Sequence, residues 1–151
     1  MESDLYTRAM QYAQSLMAEI LHRADSNFPC RALIEMSVLR EMARKCSAEK
    51  LASQGIDAES MIADVLAFLD ESKYLEQVAN HGGDLKDAAT APGIFVRLLP
   101  RGVSLMRQTV LGQATPMPFR SFLNRHGDFS ADQAGMAIED AIVGLQQTWD
   151  R

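Results

Sequence analysis

The sequence predicts a mainly α-helical protein of one domain, built on a compact three-helix core that carries a two-stranded β-ribbon. Three features predict it. Apolar residues recur at helical spacing near both ends of the chain, the apolar rhythm switches from helical to alternating after Lys73, and a Gly-containing turn at Gly55 separates two helical stretches. A length of 151 residues suits a single domain. Its expected parts are an N-terminal helix over 1–27, a core over 28–111 and a C-terminal helical extension over 112–151.

The first helix is predicted over 4–25. Leu5, Ala9, Tyr12, Leu16 and Ile20 form its stripe, which Ala13, Met17, Leu21 and Ala24 widen. So broad a stripe must be covered, either by the core of the domain or by a second copy of the chain. Asp25-Ser26-Asn27 breaks the pattern, and Pro29 suits the first turn of a second helix reaching about Lys45. Ser47 caps a short helix over 48–53, Gly55 suits a left-handed helix end, and Asp57 caps the next helix. Two helices joined this way form a helix-turn-helix pattern. The helix over 58–73 buries Met61, Ile62, Val65, Leu66 and Leu69, with Phe68 beside that stripe. Strands follow near 74–78 and 94–99. In the second, Ile94, Val96 and Leu98 face one way and Phe95, Arg97 and Leu99 the other. The connection between them holds Gly82-Gly83, Asp84, Asp87 and Pro92-Gly93, and is long for a hairpin. A closing helix from Arg101 is lined by Val103, Met106 and Val110. Pro116 and Pro118 exclude a continuous helix over 112–118. Phe119, Phe122 and Leu123 predict a short helical plug. Ser130 with Gln133 makes a capping box for the last helix, whose stripe is Ala134, Ile138, Ala141, Ile142, Leu145 and Trp149.

Composition narrows the function classes. The chain is 47% hydrophobic and 23% charged, enough to bury a core, and its net charge of −5 argues against a polybasic membrane-surface protein. No apolar run approaches the ~20 residues of a membrane span, and the N-terminus lacks a signal-peptide pattern, so a cytoplasmic protein is expected. Cys30 and Cys46 are read as small, reduced core residues on helices. His22, His81 and His126 share no metal-binding spacing, and no catalytic group, metal or cofactor is predicted. Most of the methionines read as core filler; a Met-rich adaptable binding surface is the functional alternative.

The run Ala67-Phe68-Leu69-Asp70-Glu71-Ser72-Lys73-Tyr74-Leu75-Glu76, followed by Val96-Arg97-Leu98-Leu99-Pro100-Arg101-Gly102, resembles the helix, wing and exit turn of winged helix-turn-helix domains. Bacterial regulators of the MarR and PadR families are the nearest likeness, over about half the chain. The resemblance implies a mainly α fold with a winged helix-turn-helix core, a two-stranded β-wing and flanking helices. It also implies a DNA-binding transcriptional regulator, acting as a homodimer through its terminal helices. Where such domains have Thr, this chain has Leu99, so the helix that follows loses a side-chain cap.

Charge divides the functional expectation. The helix over 58–73 would enter the major groove in that family, yet it carries four acids and one base. Against this, residues 97–125 hold five arginines and no acid. The candidate DNA-binding residues are therefore Arg40, Arg44, Lys45, Lys50, Lys86, Arg97, Arg101, Arg107, Arg120 and Arg125. The candidate dimer interface is Leu5, Tyr12, Leu16, Ile20, Ile138, Ile142, Leu145 and Trp149. The second expectation is a non-catalytic winged-helix adaptor subunit that binds other proteins in a larger complex. Fold resemblance favours duplex DNA as the partner, and the acidic helix with its broad apolar stripes favours a protein.

Overall fold

The structure is a computed structural model describing residues 2–45, 58–78, 93–111, 116–125 and 132–149. It is mainly helical, with two small antiparallel sheets. Helix α1 (Glu2–Ser26) is its spine. Tyr12, Leu16, Ala18, Ile20, Leu21 and Ala24 are fully buried on it, spread over more than one face, because elements pack on it from several sides. The helix ends where short polar side chains take over its last carbonyls. Ser26 Oγ donates to His22 O at 2.8 Å and Asn27 Nδ2 to Arg23 O at 3.2 Å.

Strand β1 (Ala32–Glu35) leads directly into α2 (Met36–Lys45). The single helix expected from Pro29 to Lys45 is thus wrong in its first part. Ala32 and Ile34 face the core while Leu33 and Glu35 face out, and the backbone of these four residues pairs antiparallel with β3 (Gly93–Leu98). An available strand edge outweighs the weak helical preference of so short a segment. Helix α3 (Ala58–Glu71) and strand β2 (Leu75–Gln77) follow, and β2 pairs with the other edge of β3. The sheet order is β1-β3-β2. Ile94, Val96 and Leu98 point into the core, as their alternation predicts, and Arg97 points out. The short helix expected over 48–53, its flanking caps and the connection over 79–92 lie outside the described residues.

The step from α3 into β2 is a Schellman turn. Tyr74 N–H donates to Leu69 O and Lys73 N–H to Asp70 O, both at 3.1 Å, with Lys73 at φ 64°. Tyr74 and Leu69, the two apolar residues such a turn brings together, are both buried. A lysine in left-handed backbone carries a Cβ clash that glycine lacks. Lys73 is exposed, so Lys73→Gly is expected to raise stability by about 0.5–1 kcal/mol, read as a higher urea midpoint with an unchanged slope.

Helix α4 (Pro100–Met106) starts at Leu99 with no side-chain cap and with Pro100 in its first turn, as the missing Thr implies. It is shorter than expected. Val110 lies not on it but, fully buried, on strand β4 (Thr109–Leu111), which pairs with β5 (Pro116–Pro118). The prolines that exclude a helix there sit in a two-stranded ribbon, where a missing N–H is tolerated. Phe119 N–H, the first donor after Pro118, bonds to Gln108 O at 2.7 Å. Helix α5 (Phe119–Arg125) plugs the core with Phe119, Phe122 and Leu123, as its spacing predicts.

Helix α6 (Asp132–Trp149) packs along α1 within the same chain. Gln14, 7% exposed, donates through Nε2 to Glu139 Oε1 at 2.7 Å across this junction. The expected dimer interface is corrected here. Tyr12, Leu16, Ile20, Ile138 and Leu145 are all at most 1% exposed inside one chain, and Ile142 packs against the same core. In their described residues the two terminal stripes pack against each other and the central elements, so pairing two copies through those residues would require opening the core. Leu5 and Trp149 have side chains outside the described residues.

Candidate functional site

Helix α3 buries Ile62, Val65, Leu66 and Leu69, which leaves the opposite side to solvent. Along that side Ser60, Asp64, Phe68 and Glu71 follow one another at helical spacing, all exposed. Phe68 is 41% exposed and meets the Tyr74 ring edge-on, with centroids 6.3 Å apart. Next to it α1 brings up Ala13 and Met17. The two helices enclose an open groove of about 280 Å³, lined by Ala13, Met17, Met61, Asp64, Val65 and Phe68. Among the described residues its wall is apolar apart from the Asp64 side chain. Met10, also exposed, extends the α1 side of the groove by spacing.

The basic candidates among the described residues are placed as follows. Arg97 sits opposite Glu76 across β2 and β3, donating from Nε to Oε1 at 3.0 Å and again from Nη2. Arg120 makes two bonds of 2.8 Å to the Asp25 carboxylate, tying α5 to the end of α1. The Asp25 side chain is 6% exposed, so this bidentate pair is a structural clamp rather than a free cation. Arg101 lies over the Tyr74 ring, 5.5 Å from its centroid, with Nε buried and unpartnered. Burial pushes the Tyr74 phenol above its ordinary value, and the Arg101 guanidinium draws it part of the way back. Arg40 is half-buried and already partnered. Arg107 and Arg125 are exposed. The side chains of Arg44 and Lys45, and all of Lys50 and Lys86, lie outside the described residues.

Cys30 is an exposed free thiol in the turn before β1, not the buried helical residue expected. It closes the Asn27–Cys30 turn, in which Cys30 N–H donates to Asn27 O at 2.7 Å. Met36, Met42 and Met106 are core residues, as expected. Met17 and Met61 are half-buried, and Met10 and Met136 are exposed. On the outer face of the first sheet, Arg31 stacks 4.4 Å from the Phe95 centroid beside the exposed Leu33. Among the described residues, no group of three His, Cys, Asp or Glu side chains converges to hold a metal ion, and no helix is long and apolar enough to cross a membrane. The α1–α3 groove was not foreseen. Phe68 and the methionines were visible in the sequence, but which helix stands beside α3 is a tertiary fact.

No protein-family model matches the sequence, and no curated protein or solved structure is significantly similar to it.

Proposed function

We propose that this chain is a non-catalytic winged-helix protein that works by binding another protein, through the outward side of α3. Support for the winged-helix assignment comes from the described element order α1-β1-α2-α3-β2-β3 and the sheet order β1-β3-β2, in which β2 and β3 pair antiparallel as the two strands of a wing would. The single observation that carries the protein-binding role is the surface of α3. Asp64, Phe68 and Glu71 stand where a reader of DNA needs cations and amides, and a carboxylate pressed on phosphate is repelled. An exposed aromatic beside an apolar groove is instead the usual anchor of a protein interface.

A DNA-binding bacterial regulator is the second reading, favoured by the same winged-helix order and by the exposed Arg107 and Arg125. A fluorescence-anisotropy titration with a mixed-sequence duplex separates the two. The protein-binding role predicts no duplex affinity that falls steeply between roughly 50 and 200 mM salt. Such a fall, reduced when Arg107 and Arg125 are both changed to Ala, would replace it with the regulator.

A further inference from the structure

We propose that the groove between α1 and α3 receives one amphipathic helix of a partner protein, and that the helix carries Lys or Arg beside its apolar stripe. This rests on the protein-binding role proposed above and adds the chemistry of the partner.

The shape of the groove selects the occupant. It runs between two helices and, among the described residues, has no strand edge along it, so a third helix can lay its side-chain ridge into it. It is open along its length, whereas pockets for small molecules bury most of the ligand's surface. Helix-in-groove recognition instead inserts successive apolar anchors from one helical face. Met17 and Met61, flexible and polarisable, suit a wall that adapts to such anchors, and Phe68 supplies a rigid one.

Charge selects the sign. Asp64 is exposed on the groove wall and has no ion pair with another described residue. Glu71 extends the same side of α3, and the whole chain carries a net charge of −5. A Lys or Arg beside the inserted stripe meets Asp64 at the rim, where opposite charge fixes register and excludes acidic helices. The same charge disfavours a second copy as occupant. The exposed apolar residues Met136 and Val143 make α6 the natural donor, yet Glu139 and Asp140 flank them. Docking that helix would set carboxylates against Asp64.

The test is a display library of ~18-residue helical peptides with a fixed Leu stripe and flanking positions drawn from Lys, Arg, Glu, Gln and Ser, selected on the full chain. Enriched peptides are expected to carry Lys or Arg beside the stripe. Their affinity should fall at least about tenfold with Phe68→Ala, and Asp64→Lys should shift the preference to Glu-flanked peptides. Both residues are exposed, so folded variants are expected, and circular dichroism checks this. Enrichment without a basic bias, or no enrichment at all, overturns the inference. Peptides that bind equally to both variants also overturn it while leaving the protein-binding role intact. Only the duplex titration can remove that role. Dimerisation of the chain that is lost in Phe68→Ala would assign the groove to a second copy and would likewise overturn the inference.

Discussion

Gly102→Ala is expected to destabilise the protein by at least about 3 kcal/mol, the upper end of what overpacking a buried site costs. Gly102 is buried in α4, where the chain leaves β3 and turns beneath the start of β2. A Cβ placed there would stand 2.0 Å from the Tyr74 carbonyl oxygen and 2.8 Å from Leu98 Cδ1. The Leu98 methyl can swing aside, but the carbonyl cannot. It already accepts the Leu99 N–H at 2.9 Å, and Tyr74 is held in the Schellman turn at the end of α3. Relief would require α4 to withdraw from the sheet, exposing Leu105 and Met106, which are fully buried. In a chain of this size the loss corresponds to a fall in melting temperature of roughly 6–12 °C. A change of less than ~1 kcal/mol in urea unfolding would mean that α4 does not press on the β2 entry as described.

Leu16→Ala is expected to cost about 2–5 kcal/mol, the range for truncating a fully buried leucine. Leu16 has no solvent exposure, and its helix touches α2, α3, α5, α6 and the first sheet. The cost rises with the cavity that the surrounding elements fail to fill. The loss should appear as lower stability of the isolated chain. A stripe serving only a dimer would instead give a well-folded protein of lower mass. Light scattering that shows such a change with unaltered urea stability would contradict the single-chain core.

Helices α1, α3, α5 and α6 and strand β3 were legible in the sequence because each is long enough, or apolar enough at fixed spacing, for its period to be read. The missing cap at Leu99 was legible for a local reason: it depends on one side chain. Strand β1 was not, since Ala32-Leu33-Ile34-Glu35 completes barely two alternations and adjoins residues with helical spacing. Its pairing with Val96, Phe95 and Ile94 is set at least sixty residues away. Strands β4 and β5 are three residues each, and the prolines of β5 read as breakers before they read as an edge strand.

The site was legible only in part. The acidic, Phe-bearing side of α3 follows from periodicity alone. The sequence also shows that the terminal stripes must be covered, without showing by what, and the cover proves to be each other and the core. Five arginines over 97–125 without an acid suggest a positive surface. Arg97 and Arg120 are instead spent on Glu76 and Asp25, partners that only cross-strand register and helix docking bring near.

Centrally, α1 and α6 close over one core within a single chain. The most direct measurement is the urea midpoint of the full chain over a wide range of protein concentration. A core contained in one chain unfolds at the same midpoint throughout. A midpoint that climbs with concentration, as it does when subunits share their folding energy, would place the terminal stripes between copies and contradict the account.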